Sequence, residues 1–250
     1  MKSLLLCSAL GLASTILIGW RIHAVHNRET RHFEIVEDLS LSHPNGCESL
    51  LSLADRVFRS DGLSRESTLT VLIVGDAATA NEPWQLGRYE IPTTLKVIEG
   101  RKKSLQRETD IVGDISSKCQ TARRTNISPV FLAIKRAVAD LRAEGCKETS
   151  HCELFVDSDL EENVEPSIKR RLDRSDGRKQ TLPTSINNSG VHVTFCGLAV
   201  TSGRLVSPSM RAPGKVMPRG ASGQDQLQKA WLSLLTRPEL SFFEPYCRNP

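Results

Sequence analysis

Hydrophobic and polar positions change period several times along this chain. Residues 32–37 (His-Phe-Glu-Ile-Val-Glu) alternate as a strand does. Pro44-Asn45-Gly46 is a turn signal, and Cys47, Leu50, Leu51, Ala54, Val57 and Phe58 then recur at helical spacing. Residues 68–75 (TLTVLIVG) form a near-continuous apolar run, the pattern of a strand buried on both faces in a parallel sheet. Residues 88–99 are expected to form a third strand, which Pro92 places at an edge. Residues 102–122 are polar, rich in both signs of charge, and read as partly helical with a solvated face. Val130, Phe131, Ile134, Ala137, Val138 and Leu141 predict an amphipathic helix, residues 152–156 (CELFV) a strand, and Val164, Ile168 and Leu172 a further helix. A strand at 191–200, a helix at 224–235 carrying Leu227, Trp231 and Leu234, and a short strand at 240–243 complete the pattern. Strands that alternate with helices predict an α/β domain built on a parallel sheet.

The ends of this pattern change the picture. Residues 4–20 are apolar, follow Lys2, and lie near the lower length limit for a membrane-spanning helix. No convincing small-x-small cleavage site comes after them, so an uncleaved N-terminal anchor is expected, with residues 1–29 as anchor and linker and 30–250 as one domain. Arg21, Arg28 and Arg31 outnumber Lys2, which by the positive-inside rule keeps the domain in the cytoplasm. Short N-terminal anchors nevertheless commonly export the domain attached to them, so the side of the membrane stays open. Residues 201–223 are rich in Ser, Gly and Pro and carry Arg204, Arg211, Lys215 and Arg219 against no acid. They are expected to form a long, flexible basic loop over the carboxyl edge of the sheet.

A length of 250 residues suffices for one large α/β core. A net charge of +4 and 5% aromatic residues give no footing for base stacking or a phosphate backbone, so no nucleic-acid partner is expected. Of seven cysteines, Cys7 lies in the apolar run. Cys146 and Cys152 flank a short loop and are the pair to expect in an oxidising compartment, whereas Cys196, mid-strand, reads as a buried core thiol. A zinc site of Cys146, His151 and Cys152 lacks a matching second pair of ligands.

Candidate chemistry gathers at the strand ends. Asp38-x-Ser40-x-Ser42 stands in the turn between the first strand and the first helix. In an open α/β sheet, ligands bind at the carboxyl ends of strands, and hard cations such as Mg²⁺ take oxygen ligands in octahedral geometry. Ser128-Pro129 precedes the middle helix, where Ser128 can serve as helix cap or as a third hydroxyl, with Thr125 as the other candidate. The strand at 152–156 runs into Asp157-Ser158-Asp159-Leu160-Glu161-Glu162. A helix dipole accounts for part of that acidity and a bound cation would account for more.

With Asp38-x-Ser40-x-Ser42, a hydroxyl before a middle helix and Ser158-Asp159 after the fourth strand, residues 30–247 resemble the von Willebrand factor A (VWA) domain. The segments Ser128-Pro129-Val130-Phe131, Ser158-Asp159-Leu160-Glu161-Glu162, Phe195-Cys196-Gly197-Leu198 and Phe243-Glu244-Pro245-Tyr246-Cys247 resemble a bacterial group of VWA-like proteins. The resemblance implies a Rossmann-like, doubly wound, mostly parallel sheet with helices on both faces. It implies a metal-ion-dependent adhesion site for Mg²⁺ or Mn²⁺, held by Asp38, Ser40, Ser42, Ser128 (or Thr125) and Asp159. The open coordination position of such a site takes a carboxylate from a partner protein. Two departures are visible: Leu41 stands between the serines where the family often has a small residue, and Pro129 directly follows Ser128. The function expected is a membrane-anchored binding module, not an enzyme. The alternatives are a metal-free scaffold on the same fold, or a Mg²⁺-dependent phosphoryl-transfer enzyme or nuclease using Asp38, Asp76, Asp157 and Asp159. None of the six histidines falls in a readable general-base motif.

Overall fold

A computed structural model describes residues 29–43, 46–60, 63–64, 66–79, 82–92, 98–146, 151–160, 168, 185–197 and 221–244. Of helical residues 98, 99, 101 and 221–224 it describes the backbone alone. The expected anchor through residue 28, most of the helix expected after residue 163, and the basic loop through residue 220 lie outside the described residues. Among the described residues no helix is long and apolar enough to cross a membrane.

The strands are β1 (His32–Asp38), β2 (Thr68–Val74), β3 (Trp84–Glu90), β4 (Cys152–Asp157), β5 (Val191–Cys196) and β6 (Ser241–Phe243). The helices are α1 (Gly46–Phe58), α2 (Ile98–Thr121), α3 (Val130–Ala143) and α4 (Ala221–Leu232). The strands form one six-stranded sheet in the order β3-β2-β1-β4-β5-β6. Each neighbouring pair is parallel except β2 with β3. The parallel α/β sheet is the one expected from the alternation of elements, and its doubly wound, Rossmann-like arrangement is the one that the resemblance implies.

Two apolar layers sandwich the sheet. Phe33 and Ile35 of β1 pack with Leu50, Leu53 and Val57 of α1 and with Ile111 and Ile115 of α2. Val36 packs on the other face with Val130, Ile134 and Ala137 of α3 and with Trp231 of α4. A central strand covered on both faces has no solvent side, so the polar positions of its alternation are buried as well: Glu34, Glu37 and Asp38. The side of β1 on which each of these carboxylates falls therefore decides its chemistry.

Several expectations are corrected. The third strand runs from Trp84 to Glu90 rather than from 88 to 99, and residue 98 already belongs to α2. Pro92 has no N–H to give to a ladder, and the strand stops before it. The edge position is as expected. The last helix begins at Ala221, inside the stretch read as loop, and β5 closes at Cys196. Cys196 is disulfide-bonded, with its partner outside the described residues, and is not a core thiol. Cys146 and Cys152 form the disulfide expected of them, which removes both thiolates a zinc site would need. A second disulfide, Cys47–Cys119, staples α1 to α2.

Candidate functional site

The strand order reverses at β1, whose two neighbours are β2 and β4. The crevice outside the carboxyl ends of β1 and β4 is therefore the switch point at which open α/β sheets bind ligands. Side chains along β1 alternate between the two faces. Val36 and Asp38 look toward α3, while Ile35 and Glu37 look toward α1. The same alternation at the end of β4 sends Val156 and Ser158 to the α3 side and Phe155 and Asp157 to the α1 side. One loop thus presents two separate polar sets.

On the α3 side, Asp38 is fully buried and holds the set together. Its Oδ2 accepts hydrogen bonds from the Ser128 hydroxyl at 2.7 Å and the Ser158 hydroxyl at 2.8 Å. Its Oδ1 accepts from the Ser40 backbone N–H at 2.8 Å. Ser40 Oγ lies 2.9 Å from Ser42 Oγ, so the two serines of the turn do converge. Backbone bonds fix the loop: the Leu39 N–H donates to the Val74 carbonyl, Leu41 to Thr125, and Thr125 in turn to Gly75. Gly75, at φ +85, is required here because a Cβ would lie 2.5 Å from the Ser40 nitrogen.

Of Ser128 and Thr125, one touches Asp38. Ser128 reaches Asp38, whereas the Thr125 hydroxyl donates to the Gly75 carbonyl and accepts from the Ile127 N–H. Ser128 does not cap α3: Pro129 occupies that place, without a side-chain cap bond. Asp159 lies buried beyond Ser158, near enough for its charge to act on His43. The side chain that reaches Asp38 from this segment is Ser158, which also accepts from the Leu160 N–H at 2.9 Å. Leu160 holds φ 59, a left-handed turn that ends the segment.

These groups suit a hard cation. A serine oxygen can still donate a lone pair after giving its hydrogen to a carboxylate; Ser128 and Ser158 both give theirs to Asp38, and Ser158 also accepts from the Leu160 N–H. Together with Ser40 and Ser42 they make an all-oxygen donor set of the kind Mg²⁺ and Mn²⁺ take. Asp76, an acidic candidate of the enzyme reading, has its Oδ1 engaged by the N–H groups of Arg123 and Ala78.

On the α1 side, Glu37, His43 and Asp157 converge, with ligand atoms all within 4.8 Å of one another. His43 Nε2 lies 3.2 Å from Asp157 Oδ2 and 3.8 Å from Glu37 Oε1. Burial holds Glu37 well above the usual carboxylate range, and the charges of Asp157 and Asp38 push it further the same way. For His43 burial is the largest influence and disfavours the imidazolium. Asp157, Asp38 and Asp159 together outweigh it and leave the group raised. Neither Glu37 nor His43 was among the site residues expected from the sequence. A signal was present in the period of β1: Phe33, Ile35 and Glu37 share one face, so a face apolar at its first two positions carries Glu37 into the core.

No family model matches the chain, and no curated protein matches it. Among solved structures, an open conformation of the pilus adhesin SpaC from Lactobacillus rhamnosus GG is similar over 88% of this chain at 10% identity and a TM-score of 0.48. This chain spans 28% of that adhesin. An aerotolerance-related membrane protein from Bacteroides fragilis is similar over 86% of this chain and 90% of its own, at 12% identity and a TM-score of 0.40. Manganese-loaded TRAP protein from Plasmodium vivax is similar over 68% of this chain and 57% of its own, at 14% identity and a TM-score of 0.37. These likenesses are distant, and the chemistry of the site rests on its own residues.

Proposed function

We propose that this domain is a VWA-like binding module. Its hydroxyl and carboxylate set holds Mg²⁺ or Mn²⁺ and leaves a coordination position for a carboxylate of a partner protein. One observation carries the reading: at the switch point of the sheet, Asp38 accepts the hydroxyl hydrogens of Ser128 and Ser158, beside the paired Ser40 and Ser42. The ion would supply a positive charge to an acidic partner group. Asp38 would orient Ser128 and Ser158, and Ser40 and Ser42 would offer the turn's hydroxyls. Ser42 is exposed, and Leu41 beside it is 58% exposed, which gives the rim an apolar contact for the same partner. In this reading the site holds a partner and carries out no turnover.

The disulfides Cys47–Cys119 and Cys146–Cys152 support a location in an oxidising compartment. Within this reading the N-terminal anchor exports the domain, against the positive-inside count.

Thermal unfolding of the full chain in chelator, Mg²⁺ and Mn²⁺ tests the function. A ligand at about a hundred times its Kd stabilises the native state by roughly 2.7 kcal/mol. The wild type is expected to show such a shift. Ser42→Ala, whose described contact is the Ser40 hydroxyl alone, is expected to lose much of it while unfolding normally in chelator. Asp38→Asn is expected to lose it outright. No shift in the wild type would overturn the metal site and leave a metal-free scaffold on the same fold.

A further inference from the structure

The α1 side of the crevice is not used by the binding reading, and its three side chains face one another as ion-pair neighbours. Glu37 is 0% exposed and His43 and Asp157 are 1% exposed. Both carboxylate oxygens of Glu37 and of Asp157 lack a hydrogen-bond partner, and so do both imidazole nitrogens of His43. Two carboxylates buried around one imidazole, with no well-aligned donor to either, are expensive to keep unless further positive charge stands among them.

We propose that Glu37, His43 and Asp157 form a second cation site, which takes a transition-metal dication of the Zn²⁺ class. The spacing fits. Ligand atoms held about 2.0–2.1 Å from a tetrahedral Zn²⁺ lie roughly 3.3 Å from one another. The imidazole nitrogen sits 3.2 Å from Asp157 and 3.8 Å from Glu37. The charge fits as well: two carboxylates and a neutral imidazole balance a dication, so the buried centre is neutral overall. The imidazole selects the ion, because nitrogen ligands suit Zn²⁺ and its neighbours while all-oxygen sets suit Mg²⁺. The backbone is shaped to leave room. A Cβ at Gly197, which stands at φ +91, would lie 2.5 Å from Asp157 Oδ1 and 2.9 Å from His43 Cε1. A Cβ at Gly46 would lie 3.1 Å from Glu37 Oε1.

The two sites share a loop but no side chain, so they can be tested apart. The full chain, with disulfides intact, is stripped of metal and dialysed against Zn²⁺ with Mg²⁺ in large excess. Bound zinc is counted by mass spectrometry. Wild type and Ser128→Ala are each expected to retain one Zn²⁺ per chain. Glu37→Gln and His43→Gln are expected to weaken it by about a hundredfold or more, since even outer-shell losses at metal sites weaken binding by about ten- to a hundredfold. Should His43→Gln fail to fold, by circular dichroism, X-ray absorption on zinc-loaded Ser128→Ala decides. One imidazole with oxygen neighbours supports the site, whereas sulfur or several imidazoles overturns it. Zinc absent from both wild type and Ser128→Ala, or held by folded His43→Gln as tightly as by wild type, also overturns it and leaves a proton-sharing cluster. Because Ser128→Ala disables only the α3-side set, failure of the Mg²⁺ reading leaves this outcome legible.

Discussion

At the residue scale the decisive fact is that β1 carries three buried carboxylates with three different fates. Asp38 is satisfied by two hydroxyls and an N–H. Glu37 stands with His43 and Asp157. Glu34 faces α3 and has burial as the main influence on it, with the negative charge of Asp140 adding to that; it is pushed up to about 9. A carboxyl raised in the folded state binds a proton that the unfolded chain has released, so stability falls as pH rises. The penalty begins above the unfolded value of 4.5 and is complete above about 9, at up to ~1.4 kcal/mol per pH unit between them. Glu34→Gln is therefore expected to raise stability at neutral pH and to flatten the slope between pH 5 and 9, as read by urea unfolding across that range. Gly75 belongs to the same scale. Gly75→Ala would combine a strained φ with a contact of 2.5 Å on the Ser40 nitrogen. It is expected to lower stability by more than about 1 kcal/mol and to abolish divalent-ion stabilisation, both visible in one set of melting curves.

At the scale of elements, the helices are held to the sheet by apolar stripes, and α1 is joined to α2 by a disulfide. Among its described side chains α2 buries Ile111, Ile115 and Cys119, and Cys119 is the residue joined to Cys47 of α1. The closed loop spans 72 residues, so a chain-entropy treatment gives it a stabilisation of about 4 kcal/mol. Cys47→Ser with Cys119→Ser is expected to cost about 2–4 kcal/mol, measured by denaturant unfolding, and to loosen α2 before the sheet, measured by hydrogen exchange. α1 is also tied to the segment after β6. Arg56 donates to both oxygens of Glu244 at 2.6 and 2.9 Å and stacks over Phe155 at 5.0 Å. Arg56→Lys removes the fork and the stacking while keeping the charge, and is expected to lower stability by about 1 kcal/mol in the same assay.

For the whole molecule, the parallel sheet explains why two polar sets arise next to each other. Parallel strands put all their carboxyl ends on one edge, and the reversal at β1 opens a crevice there. Alternation along β1 and β4 then divides the edge between the two faces. The disulfides belong to this scale too, since they report the compartment in which the chain folds. If the domain is exported, an enzyme reporter that is active only in an oxidising compartment, fused after residue 250, is expected to be active. A reporter that matures only in the cytoplasm is expected to be dark.

The sequence by itself determined the order and type of most elements, because apolar periodicity is local and each strand or helix must bury its own stripe. It also offered Asp38, Ser40, Ser42, Ser128 (or Thr125) and Asp159 as candidates, because a carboxylate and hydroxyls after a strand are legible as a pattern of residue types. Tertiary structure alone decided that Ser128 and not Thr125 reaches Asp38, since the two differ by which strand end the loop is laced to. It alone paired Cys47 with Cys119 across 72 residues, and it alone brought Glu37, His43 and Asp157 together. Those contacts join segments far apart in the chain, and which segments meet at one edge is fixed by strand order, a property that no local pattern of residues contains.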